Sequence, residues 1–307
     1  MSPKADRPYS SPQAMNRALT DLLRAHARDQ PGMTLDSLRR QFAYDRLLTR
    51  IFTGPDGERW VLKGATAILA RLAGDARHTR DIDLYWQDED LPAAENSLRA
   101  AAGTHTEDFF RFTLNASQRI TQERHTLRVP VIAYLGLREF ARFHVDLVTD
   151  LIMTAPPDEV APLVPISIAG VPSTTYRAYP ITDHIADKVC AMIEVHHHSD
   201  GQPQPSSRYH DLADLATFAR TTVVDAQALI RALHSEAKRR GLQLPDRLTI
   251  PDSTWGPGYA RVARDNPRLV DRDAAQALRT AAALLDPALT LSAAGAWDPV
   301  RRSWSEH

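Results

Sequence analysis

The chain lacks several things, and each absence narrows its class. In 307 residues there is one cysteine, Cys190. No intramolecular disulfide is possible, which suits a reducing, cytoplasmic setting. No apolar run approaches the roughly 18–20 residues of a membrane span, so no membrane partner is expected. The opening MSPKADRPYSSPQAMNRAL has no apolar h-region and does not read as a secretory signal. Net charge is also nearly absent: 37 basic residues against 38 acidic ones leave −1. Composition therefore advertises no nucleic-acid surface, although a local basic patch stays compatible with it. No internal repeat is visible.

What is present is a globular pattern in three parts. Residues 1–53 read as a helical N-terminal arm. Its first helix starts at Ser11-Pro12, an N-cap followed by proline at the first helical position. Its second carries Leu38, Phe42 and Leu47 at helical spacing. After the turn GPDG, residues 54–175 alternate strand and helix signals. ERWVLKG and DIDLYW read as strands, ATAILARLAG and LPAAENSLRAAAG as helices ending in glycine. FFRFTLN, TLRVPVIAYLG and FARFHVDLV then read as three strands. This order predicts an α/β (α+β) core with a mixed sheet. Residues 176–307 return to helices, at 181–195, 208–220, 224–240 and 271–285. The polar link HHHSDGQPQPSS between the first two reads as a mobile loop with solvated histidines.

The stretch HTRDIDLYW carries the first chemistry. Residues i and i+2 of a strand share a face, so the carboxylates of Asp81 and Asp83 point the same way. Two such charges repel unless a divalent cation or a proton joins them. In FARFHVDLVTD, Asp146 sits on the polar side of a strand whose Phe143, Val145 and Leu147 are apolar. If the two strands are neighbours, three carboxylates converge, a set suited to two Mg²⁺ ions and in-line phosphoryl chemistry. His144 shares that face and reads as a supporting or core residue, because Mg²⁺ takes oxygen ligands. VLKGATAIL passes from a strand through Lys63-Gly64 into a helix. A helix N-terminus suits phosphate, with Thr66 adding a hydroxyl and Lys63 a charge.

Two further charges lie on apolar helix stripes. Lys188 falls between Ile185 and Met192 at helical spacing, and Asp211 precedes Leu215 and Phe218. An internal ion pair and a catalytic lysine both fit that pattern. Arg208 and Asp214, each three from Asp211, read as helix-surface charges.

Together LKGAT, TRDIDL, FHVDLV, ADKVCAM and RYHDLADL resemble, in order and spacing, the AbiEii/MenT-like nucleotidyltransferase toxins of the DNA polymerase β-like superfamily. The resemblance covers roughly residues 58–220. Ala65 departs from it, standing where the family has a second glycine. It implies a polymerase β-like core that takes NMP from an NTP with Mg²⁺, a two-metal site held by Asp81, Asp83 and Asp146. Lys63, Gly64, Thr66, Arg80 and Arg208 would bind the nucleotide. Lys188 and Asp211 would be essential and face a hydrated cleft, the lysine neutralising the leaving pyrophosphate. It further implies a pyrimidine NTP, the 3′ end of tRNA as acceptor with translation blocked, and a cognate antitoxin encoded nearby.

An RNA acceptor also suits residues 109–142, where six arginines (Arg111, Arg119, Arg124, Arg128, Arg138 and Arg142) stand against Glu123 and Glu139. Two other readings stay open: transfer to a protein or small-molecule hydroxyl, and a catalytically silent binding module of the same fold.

Overall fold

The structure is a computed structural model that describes residues 9–30, 32–72, 76–77, 79–120, 126–197, 203–204 and 206–305. The chain forms two units. The first comprises Met1–Ala73, His78–Leu151 and Glu159–Ala178, the second Gly74–Arg77, Ile152–Asp158 and Tyr179–His307.

The first unit opens with α1 (Pro12–Arg28) and α2 (Leu35–Phe52). Ser11 and Thr34 cap them, accepting from the Ala14 and Ser37 amides at 3.2 and 3.1 Å. The helices read as an arm lie inside this unit, and α2 is buried on most sides. Its buried charges are held by hydrogen bonds and ion pairs. The Asp45 carboxylate accepts from the Leu163 and Val164 amides and the Tyr176 hydroxyl. Arg50 grips Asp108 through two nitrogens at 2.9 and 2.7 Å.

Next come β1 (Trp60–Lys63), α3 (Gly64–Leu72), β2 (Asp81–Trp86), α4 (Leu91–Gly103), β3 (Phe110–Leu114), β4 (Gln118–Arg119), β5 (Thr126–Leu135), β6 (Arg138–Val148), β7 (Asp158–Val160) and β8 (Tyr176–Ala178). Among the described residues they make a sheet in the order β3-β5-β6-β2-β1-β8-β7, with β4 also on β5. It is the mixed sheet expected from the sequence: β2 runs antiparallel to β1 and parallel to β6. Ile82, Leu84, Val145 and Leu147 are buried, which leaves the intervening aspartates on the other face.

The second unit contains α5 (Ile181–Ile193), β9 (His196–His197), β10 (Pro203–Gln204), α6 (Tyr209–Thr221), β11 (Val224–Asp225), α7 (Ala226–Arg240), α8 (Trp255–Asp265), α9 (Ala274–Leu289), β12 (Ala296–Asp298) and β13 (Ser303–Trp304). Helix α5 packs on α6 and α7, and α6 on α8 and α9. The helical half expected from the sequence is present, with differences in detail. Helix α9 starts at Ala274 rather than 271, because Asp273 caps it by accepting from Gln276 while Asp271 is occupied with Arg220. Helix α8 gave no sequence signal: WGPGYARVARD opens with two glycines and a proline, yet proline is tolerated in a first turn. The small sheet β11-β12-β13 also went unread. It is anchored by buried Trp297, whose indole donates to the Ala219 carbonyl at 2.8 Å. Of the link read as mobile, residues 198–202 and 205 lie outside the described ones.

Candidate active site

Strand register assembles the site. On β2, Asp83 stands opposite Lys63 of β1 on one side and opposite Asp146 of β6 on the other. Asp146 in turn stands opposite Arg128 of β5. Directly opposed residues share a face, so the sheet carries a row Lys63–Asp83–Asp146–Arg128: cation, anion, anion, cation. Like charges set side by side are destabilising, and this pair lies at the centre of the row.

Local geometry holds the other parts. Gly64 begins α3 with φ of +62°, and a Cβ there would overlap the Asp83 carboxylate. Glycine is required on both counts. The turn therefore lays the N-terminus of α3 against Asp83 of the D-x-D strand. Asp81 is set by two threonines. Thr79 donates to its carboxylate at 2.5 Å, and Thr66 donates to its backbone carbonyl at 2.7 Å. This corrects the reading of Thr66 as a phosphate ligand: its side chain is fully buried, and its hydroxyl ties α3 to β2.

The donor set fits a hard divalent cation, since Asp81, Asp83 and Asp146 offer oxygen on one sheet face. It is not gathered as a finished cage, however. Among the described residues no three metal-binding side chains converge. Asp146 is engaged by Arg128, whose guanidinium grips both of its oxygens at 2.8 and 2.6 Å. The hydrogen bond to Asp146 pushes the Arg128 pKa up, and the charges of Asp81 and Asp83 add to it against the effect of burial. Arg128 stood in the sequence only as one arginine of a stripe. A charged residue inside the apolar alternation of TLRVPVIAYL was the sign of a specific partner.

Beside the row, a groove of about 420 Å³ is lined by Arg40, Arg80, Asn115, Arg142, Phe143 and His144 among others. His144 is exposed there, which corrects its reading as a core residue. Strand register puts it opposite Asp81, so the groove begins at the D-x-D strand on its β6 side. The arginine stripe is redistributed. Arg111 donates to the Gly136 carbonyl, Arg142 pairs with Glu139, and Arg124 lies outside the described residues. Arg40, from α2, had no signal in the sequence, because only folding brings α2 to this groove.

In the second unit, Lys188 is 5% exposed, and its ammonium donates to Asp211 and Asp214, each at 2.7 Å. Asp214 also receives a two-pronged contact from Arg77 at 3.0 and 3.2 Å. Burial alone would lower the Lys188 pKa, but the two carboxylates outweigh it and hold the pKa above its ordinary value. Burial would raise the Asp214 carboxyl, yet Arg77 and Lys188 hold it down at about 2. This corrects two expectations. Lys188 is enclosed in an ionic cluster and does not face a hydrated cleft. Asp214 is a buried member of that cluster, not a surface charge. Arg208, just ahead of α6, is exposed.

A family model for the nucleotidyl transferase AbiEii toxin, type IV toxin–antitoxin system, matches residues 46–293. The chain belongs to the AbiEii nucleotidyltransferase toxin family. Among solved structures it is similar to MenT4, a nucleotidyltransferase toxin from Mycobacterium tuberculosis H37Rv, with a TM-score of 0.53 and 19% identity. That match covers 89% of this chain and 98% of MenT4, and it is a likeness of fold. A putative nucleotidyltransferase from H. pylori matches at 15% identity and a TM-score of 0.45, over 84% of this chain and 96% of that one. No curated protein matches the sequence. Among the described residues, no helix is long and apolar enough to cross a membrane.

Proposed function

We propose that this AbiEii family member is a Mg²⁺-dependent enzyme that moves NMP from an NTP to the 3′ end of tRNA in the cytoplasm, blocking translation until a cognate antitoxin neutralises it. The observation that carries the reading is the row Lys63–Asp83–Asp146–Arg128, with the Gly64 turn beside it. Asp81, Asp83 and Asp146 would hold the cations. Bound Mg²⁺ would supply Lewis-acid polarisation and charge neutralisation at the transferred phosphoryl group. Lys63, the backbone of Gly64 and the α3 N-terminus would seat the phosphates, with Arg80 as a further cation. An acceptor hydroxyl would give up its proton to solvent as its oxygen bonds to the α-phosphorus, while the bond to the bridging oxygen breaks and pyrophosphate leaves. Lys188 and Asp211 would be essential through the cluster they hold rather than by touching phosphate.

The groove favours an RNA acceptor. Arg40, Arg80 and Arg142 converge on it from α2, the lead-in to β2, and β6, and such a channel can follow a phosphate backbone. By family resemblance the nucleotide is a pyrimidine NTP. Incubating the protein with each labelled NTP, Mg²⁺ and total RNA tests the proposal. Label on tRNA from CTP or UTP is expected. Label on protein or on a small molecule would move the acceptor elsewhere, and no label on anything would leave only a binding module.

A further inference from the structure

Asp83 and Asp146 lie side by side, and each has a cation on its outer flank. The two flanks differ. Lys63 belongs to the turn that enters α3. Arg128 belongs to β5 and closes a bidentate fork on Asp146, the strongest common form of this ion pair. The fork is also lopsided. The Arg128 side chain is 42% exposed and that of Asp146 is 9% exposed. The arginine can swing into water while the carboxylate stays in the sheet. A hard cation on Asp146 competes with the guanidinium for those oxygens. We propose that Arg128 is a positioning residue, a clasp that engages Asp146 in the cation-free protein and must release it before Asp146 can join Asp81 and Asp83 around a divalent cation. The inference rests on the two-metal reading above and extends it. Arg128 shields the like charges of the row while no metal is bound, and it sets the concentration of divalent cation at which the site assembles. A site competent only after a paired group lets go has its apparent affinity lowered by the fraction already released.

The test is Mn²⁺ binding to the purified full chain, followed by electron paramagnetic resonance without nucleotide or RNA. Arg128→Gln is expected to bind Mn²⁺ about tenfold more tightly than wild type, the equivalent of about 1.4 kcal/mol for the lost fork. Arg128→Lys keeps the charge but not the fork, and should fall between the two. It also serves if Arg128→Gln folds poorly. Arg142→Gln removes the same charge from the same sheet face without touching the clasp, and should bind Mn²⁺ as wild type. The clasp is overturned if Arg128→Gln binds no more tightly than wild type. It is equally overturned if Arg142→Gln tightens binding as much while Arg128→Lys does not, since long-range charge would then explain everything. Asp83→Asn separates the two readings. If it abolishes Mn²⁺ binding while Arg128→Gln changes nothing, only the clasp fails. If it binds as wild type, the two-metal reading fails and the clasp with it.

Discussion

Two ionic clusters built from the same residue types sit in different surroundings, one open to water and one closed to it. In the first unit, Asp146 is paired with an arginine that is nearly half in water. In the second, Lys188, Asp211 and Asp214 lie almost wholly out of water, with Arg77 as the fourth member. Water and salt reach the arginine of the first pair, which weakens its hold relative to a fully buried pair. The second is locked, because separating a buried pair leaves an uncompensated charge in a poor solvent. A charge row that can open suits a site whose occupant changes. A closed one suits a scaffold.

The largest expected effect is on activity, and it belongs to the open row. Asp81→Ala or Asp83→Ala should reduce nucleotide transfer by orders of magnitude. Asp83→Ala should melt at or above wild type, since it removes one of two opposed like charges. Transfer near the wild-type rate at saturating Mg²⁺ would end the two-metal reading.

The locked cluster should respond in the opposite sense. Lys188→Met leaves Asp211 buried without its cation and should cost about 3–5 kcal/mol in urea unfolding. Lys188→Met/Asp211→Leu should recover much of that stability, because apolar replacement of a whole buried pair is often neutral. A Lys188→Met variant that melts like wild type would erase the contrast between the clusters and return the lysine to a hydrated site.

A smaller effect follows from pH. The Asp214 carboxyl is held at about 2, below its ordinary 3.8, so its ionised form is favoured by folding. That stabilisation, about 2 kcal/mol, is complete above pH ~4 and lost as pH falls toward ~2. Asp214→Asn should flatten the acid limb of a stability curve measured between pH 5 and 2; an unchanged limb would show that Asp214 is not held ionised.

The smallest effect is expected at Arg142, whose pair with Glu139 is open to solvent, the two side chains being 65% and 42% exposed. Arg142→Gln should leave the melting temperature unchanged. If the groove carries RNA, the same variant should reduce the salt slope of RNA binding by about one. An unchanged slope would take Arg142 off the acceptor path.

Much of this was legible in the sequence because it is local. A strand has a period of two, so D-I-D must put both carboxylates on one face, and Phe143, Val145 and Leu147 must oppose Asp146. Lysine-glycine between strand and helix marks a tight turn at a helix N-terminus by the same local logic, and the five motifs in order carry the resemblance to the family. Strand order was not local. That β2 lies between β1 and β6, in the register that sets Asp83 between Lys63 and Asp146, follows from packing residues far apart in the chain. Sequence spacing also left Lys188 with two fates, since a lysine on an apolar stripe can reach outward or meet an anion. Only the approach of α6 and residue 77 in the folded unit closed it in. The partner of Asp146 was decided the same way: an arginine 18 residues earlier became its neighbour because β5 and β6 pair as a hairpin. Sequence by itself determined that the two aspartates of β2 share a face and that Asp146 lies on the polar side of its strand. Tertiary structure alone decided which of those charges water can reach, because only packing brings residues far apart in the chain together and shuts solvent out of one ionic contact and not the other.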